Sequence, residues 1–245
     1  MDNAVYVGLS RQLVLRRELD LIANNVANAD TVGFKVESLM ARTEPGAPAS
    51  NAGAPRPVKF VIDGGVARDF TQGGLFSTGS DLDLGIEGEG FFEITTDEGP
   101  RYTRDGRFRL DELGRITNQA GQPVSGEGGG EIVVNPEDGQ VKIGPDGTIS
   151  QGENPIGRVS VVRFDDLSVL EKTGDNLLRN TSNLQPEAAP DVRVRQGMLE
   201  SSNVKPILEI TRLIEVTRAY ESITKMMESS ADLSRRAVER MGRAN

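Results

Sequence analysis

Histidine and cysteine are both missing from the 245 residues, so carboxylates, lysines and tyrosines are the side chains left for reactive chemistry. Without imidazole or thiolate there is no Cys/His zinc site, no Ser-His-Asp triad and no thiol nucleophile. Disulfides are excluded in any compartment. A pair of carboxylates could in principle hydrolyse glycosides. With 37 acidic residues, however, such a pair can be found anywhere, and a chain with no Trp, 3 Tyr and 8 Phe is poor material for a sugar-stacking cleft. Asp81, Asp83, Glu87 and Glu89 invite a Ca²⁺ reading. Their spacing fails the EF-hand pattern, and alternation assigns them to a solvated strand face. EGEGFF at 87–92 lacks the third Gly of a dinucleotide fingerprint, and GGLFSTGS at 73–80 has no GK[ST] ending. NTS at 180–182 matches a glycosylation sequon only by chance. The expectation is therefore a non-enzyme with no catalytic residues, no metal and no cofactor.

The polar groups that do cluster are amides. ANNVANADTVGFK, from Ala23 to Lys35, places Asn24, Asn25 and Asn28 just ahead of Asp30, Thr31 and Gly33. Short polar side chains bond nearby main chain, and Gly tolerates positive φ, so this stretch pulls the chain out of a helix. Asn24 and Asn28 lie one turn apart and predict a polar ledge before the helix ends. Phe34 is placed to fold back on the helix's apolar stripe. That stripe is Leu15, Leu19, Ile22 and Val26, spaced four, three and four within a helix over 1–30. The physics describes a docking element.

A matching seam lies at the far end. Leu213, Val216, Tyr220, Ile223 and Met227 are spaced three, four, three and four. Asn203 reads as the N-cap of that helix, Pro206 suits its first turn, and Glu209 suits the positive end of its dipole. Two amphipathic helices at opposite ends of one chain are suited to pairing. A two-helix hairpin alone buries little, so it wants further partners.

Between them, ARTEPGAPASNAGAPRPV over 41–58 reads as an extended linker, with prolines at 45, 48, 55 and 57. KFVID and GGVARDF read as two short strands punctuated by Gly64 and Gly65. From Leu82 to Phe164 the pattern is β. Leu82, Leu84 and Ile86 alternate with polar residues, and turn glycines fall at 99, 106, 114 and 121. Asp-Gly pairs at 105–106, 138–139 and 146–147 are hairpin signals. The segment from Leu167 to Arg195 reads as mostly irregular. The fold class is α+β: 1–35 and 200–245 as a terminal-helix coiled-coil core, 36–75 as linker and short strands, 76–165 as an antiparallel β-rich domain, and 166–199 as a return segment.

A net charge of −9 argues against nucleic-acid binding, which rests on Lys and Arg. No stretch of about 18 apolar residues exists, so membrane insertion is not expected. Asp2 and the periodic apolar positions do not read as a cleaved secretory leader.

Ordered motifs give the chain a family resemblance. ANNVANADTVGFK, LDLGIEGEGFFEI with YTRDGRFRLDELGRI, PDGTIS, GDNLL, QGMLESSNV and RLIEVTRAYESITKMM together resemble the bacterial flagellar axial proteins, the rod and hook subunits. The resemblance implies a subunit of the periplasmic rod that transmits torque to the hook. It also implies terminal helices in an inner coiled-coil layer, copies of itself and other rod proteins as partners, and delivery by the flagellar type III export apparatus. Carried over by motif, Asn24, Asn25, Asn28, Thr31, Gly33, Phe34 and Lys35 sit at the helix exit. Leu199, Glu200, Ser202 and Asn203 lie where the chain re-enters the core. The opening MDNAVYVGLS, the length and VKPILEITRLIEVTRAYES favour the proximal rod. A distal-rod or hook-type subunit stays open, although Thr217 to Glu221 departs from the distal QRAYE-like segment. A monomeric secreted β-domain binding module is the alternative of another class.

Overall fold

The computed structural model describes residues 2–44, 60–182 and 184–242, which divide between two compact units. The first unit takes 1–27, 37–68 and 205–245. It holds α1 (Asp2–Ala27), α2 (Pro206–Gly242) and an antiparallel pair of strands, Glu37–Glu44 with Phe60–Arg68. At 37 residues α2 is about 55 Å long, well beyond the reach of α1. The helices pack antiparallel. Leu15, Ile22 and Val216 are buried between them, flanked by Leu19, Val26, Leu213, Ala219, Tyr220 and Ile223.

In the strand pair, the stretch read as linker is strand up to Glu44, and residues 45–58 lie outside the described residues. Gly64 and Gly65 do not separate two strands, as the sequence suggested. They belong to one strand, where the register shifts between Leu39 and Ala41 so that the glycines face a single residue. Gly65 (φ +107°) forms this bulge because a Cβ disfavours that conformation.

The second unit takes 28–36 and 69–204. Its largest sheet has six antiparallel strands in the order Leu170–Gly174, Leu177–Asn180, Arg101–Thr103, Phe91–Ile94, Val161–Arg163 and Glu187–Ala188. Successive residues of a strand point to opposite faces, and here both faces are covered. Phe92 and Ile94 enter one core with Leu84, Ile116, Val124 and Ile149, while Phe91 joins Tyr102, Val162, Leu170 and Leu178 in another. That double burial explains why FFEI carries two adjacent phenylalanines. A three-stranded sheet (Asn154–Arg158, Thr148–Gln151, Val141–Ile143) includes the predicted Asp146-Gly147 hairpin.

Other expectations in this unit are corrected. Asp138-Gly139 ends a short 3-10 helix, Pro136–Asp138, instead of a hairpin, and Asp105-Gly106 is not a hairpin turn. Asp105 is bound by the backbone N–H and guanidinium of Arg107, and the Leu84 N–H donates to Gly106 O at 2.9 Å. The segment 167–195 is strand-rich rather than irregular. Asp175 (φ +49°) and Asn176 (φ +58°) make a tight turn with two left-handed residues between paired strands. Arg193–Gln196 pairs with Leu84–Glu87, which buries Gly85 as well as Leu84 and Ile86.

Three aspartates fasten loops of this unit in the same way. The Thr71 N–H and hydroxyl hold the Asp69 carboxyl below the ordinary 3.8. The hydroxyl and N–H of Thr148 do so for Asp146, and those of Ser168 for Asp166. A carboxyl depressed in the folded state contributes stability above its unfolded value and loses it as pH falls through the folded value. The urea midpoint should therefore drop between about pH 5 and pH 2, and drop less when all three aspartates are changed to Asn. Equal drops would remove these carboxylates from the acid response.

Candidate functional site

The second unit brings the two predicted signature segments side by side. α1 ends at Ala27, so Asn28 lies just outside the helix that the sequence extended to residue 30. Asn28 instead makes a turn in which its O and Oδ1 accept from the N–H and hydroxyl of Thr31, both at 3.1 Å. Gly33 follows at φ +68°. A Cβ there would stand 2.5 Å from the Arg104 carbonyl carbon, so only Gly allows this approach. The Gly33 N–H donates to Glu200 O at 2.8 Å, the Asn203 N–H to Phe34 O at 3.4 Å, and the Val36 N–H to Asn203 Oδ1 at 2.8 Å. Residues 33–36 thus run against 200–203 as an irregular clasp.

Asn203 is not the N-cap of α2. The helix begins at Pro206, and the Asn203 amide is spent within the clasp, donating to the carbonyls of Asp69 and Thr71. Nor does Phe34 belong to the helix stripe. It is buried in the second unit, with Lys172 Nζ 4.7 Å from its ring centroid. Leu199 is buried in the strand Met198–Glu200, which pairs with Leu75–Ser77.

Beneath the clasp lies a buried ionic triad. Glu200, 1% exposed, accepts from Lys35 Nζ at 2.5 Å and from the Gly73 N–H at 2.9 Å on Oε1, and from Arg104 Nη1 at 3.0 Å on Oε2. Lys35 Nζ also donates to Thr71 O, and Arg104 Nη2 to Gly88 O, both at 2.7 Å. The Arg104 guanidinium carbon lies 5.4 Å from the Phe91 ring centroid. Burial pushes both cations, Lys35 and Arg104, below their ordinary values, although Glu200 opposes the shift. Charges this deep hold only because each is paired and hydrogen-bonded. The triad fastens the segments that carry Lys35, Gly73, Arg104 and Glu200 to one another.

Two of its members were under-read in the sequence. Glu200 carried no pairing role, and Arg104 was missed. The signal was available: an arginine next to strand residues that are buried on both faces needs a carboxylate.

The remaining predicted residues lie in the first unit. Leu15, Leu19, Ile22, Val26, Leu213, Val216, Tyr220 and Ile223 form the helix seam, and Met227 packs at Gly8. Asn24 is exposed on α1. Asn25 is 1% exposed and wholly engaged. Its Nδ2 donates to Glu37 O at 2.8 Å and to Glu209 Oε2 at 2.9 Å, and its Oδ1 accepts from the Glu37 N–H at 2.9 Å.

The comparisons with known proteins fall on the same segments. Residues 5–35 match the family described as "Flagella basal body rod protein", 85–151 the "Flagellar hook protein FlgE/F/G D1 domain", and 195–240 the "Flagellar basal body rod FlgEFG protein C-terminal". Lys35, Arg104 and Glu200 come one from each of these stretches. The chain is 57% identical to the flagellar basal-body rod protein FlgF of Caulobacter vibrioides over 100% of both chains. It is 36% identical to FlgF of Mesorhizobium japonicum over 99% of both. It is 31% identical to FlgG of Bacillus subtilis, covering 95% of this chain and 97% of the other. With likeness at both ends, through the middle and over the full length, the chain belongs to the flagellar basal-body rod protein family.

Proposed function

We propose that this chain, a structural subunit of the bacterial flagellar basal-body rod, assembles through a second apolar face on its terminal helices and does no catalysis. The observation that carries this reading is the apolar surface left over after the two helices have packed. On α1, Tyr6, Leu9 and Leu13 repeat at three and four and are 60%, 43% and 59% exposed. On α2, Ile207, Ile210 and Ile214 repeat at three and four and are 80%, 46% and 49% exposed. Heptad-like stripes of this kind suit a further coiled-coil layer, and exposed apolar patches of this extent mark contact surfaces. The contact is heterologous, head to tail with copies of itself and other rod proteins, which generates a helical shaft. The proximal rod is the favoured position, supported by the MDNAVYVGLS opening and by the 57% identity to FlgF of Caulobacter vibrioides over the whole of both chains. Delivery runs through the flagellar export apparatus. Among the described residues no helix is long and apolar enough to cross a membrane.

The test is Leu13→Glu and Ile214→Glu, each at an exposed position. Stability of the isolated protein should change by no more than about 0.5 kcal/mol, while swimming in soft agar is lost. Normal swimming with either variant would overturn this face as the assembly surface.

A further inference from the structure

The apolar seam of the helix pair does not define its own alignment. Sliding α2 by seven residues would bring Tyr220, Ile223, Met227 and Ser230 to the places of Leu213, Val216, Tyr220 and Ile223. Three of these four replacements are apolar, and apolar contact is non-directional, so the seam alone accepts the slip. The polar cross-contacts do not. In the observed alignment Asn25 meets Glu209, Glu18 meets Arg212 at 2.9 Å, and Gln12 meets Thr224 at 3.2 Å. After the slip their partners would be Val216, Ala219 and Ala231. Arg212 and Gln12 make part-exposed contacts, which discriminate weakly. Asn25 is different. It is buried, both of its amide hydrogens are committed, and it simultaneously holds the backbone of Glu37. Opposite Val216, one of those hydrogens and the Glu209 carboxylate would lose their partner.

We propose that Asn25 and Glu209 are positioning residues that set the register of α1 against α2, choosing the observed alignment over the seven-residue slip. A single buried polar pair can specify register in this way where apolar residues cannot. The inference concerns the isolated chain and is independent of how subunits assemble.

The absence of cysteine makes the test clean. A Cβ built at Gly8 lies 3.0 Å from Met227 Cγ, so Gly8→Cys with Met227→Cys reports the observed register by disulfide formation. Gly8→Cys with Ser234→Cys reports the slip. With Asn25 and Glu209 intact, the 8–227 bond should form almost completely and the 8–234 bond only in trace. In Asn25→Leu with Glu209→Leu, helix content should persist while the 8–234 product rises at least about tenfold. A milder pair of variants keeps the question open to refutation if that protein does not fold. Glu209→Leu alone leaves the Asn25 bonds to the Glu37 backbone in place and should raise the 8–234 product, whereas Glu209→Gln keeps an acceptor for Asn25 Nδ2 and should leave it at trace. An 8–234 yield unchanged from trace in both leucine variants, or an equal rise with Gln, would overturn the proposal.

Discussion

Replacing Glu200 by alanine is expected to destabilise the second unit by about 3–5 kcal/mol, the cost of leaving buried charges uncompensated. Two cations depend on this one carboxylate, Lys35 on one oxygen and Arg104 on the other, and their side chains are each only 5% exposed. Urea unfolding followed by loss of β-sheet circular dichroism measures the effect. The complementary variant separates pairing from packing. Lys35→Met, Arg104→Met and Glu200→Leu together remove every charge, and such replacements of buried ion groups are often neutral or stabilising. A loss below about 1 kcal/mol for Glu200→Ala would mean that the triad behaves as an exposed pair, against its observed burial.

Gly33→Ala is the second large effect. Two penalties act at once: a Cβ in the left-handed region costs roughly 1–2 kcal/mol, and forcing it against fixed backbone costs about 1–3 kcal/mol more. The atoms in the way are Arg104 C and O and the Asp105 N, at 2.5, 2.7 and 2.7 Å, and none of them can rotate aside. Gly79 supplies the control, since its φ is +75° but nothing lies within 4 Å of the Cβ position. Gly79→Ala should therefore show only the conformational part. If both substitutions shift the urea midpoint equally, the close approach at Gly33 contributes nothing and the clasp is looser than its geometry implies. The two substitutions at the clasp, Glu200→Ala and Gly33→Ala, should also couple, because Gly33 and Glu200 share a backbone hydrogen bond.

What could be read in advance follows how local each physical signal is. The helix stripe at Leu15, Leu19 and Ile22 and the seam at Leu213, Val216 and Tyr220 were legible, since amphipathic periodicity is written in neighbouring residues. The turn at Asp146-Gly147 was legible for the same reason. The Asp105-Gly106 signal misled. It obeys the same local rule, but the Leu84 backbone occupies the place a hairpin partner would need. The strands after Phe164 were hidden because their patterns are short. Leu170–Gly174 and Leu177–Asn180 are fixed by joining a six-stranded sheet rather than by their own alternation.

The clasp divides along the same line. Its residue types were flagged at both ends of the chain, at Gly33, Phe34 and Lys35 and again at Leu199, Glu200 and Asn203. Their partners were not, because a pairing between residues 35 and 200 leaves no periodicity in either segment. Asn203 shows the consequence. A local rule made it a helix cap, whereas a carbonyl and an N–H from distant segments had a stronger claim on its amide. By itself the sequence determined that this is an α+β chain with two helices at its ends and a β body between them. Composition and short-range spacing are sufficient for that. Only the tertiary structure decided that Lys35, Arg104 and Glu200 form one buried triad and that Asn25 answers Glu209. Burial turns each of these groups from a solvated side chain into one that must find a particular partner.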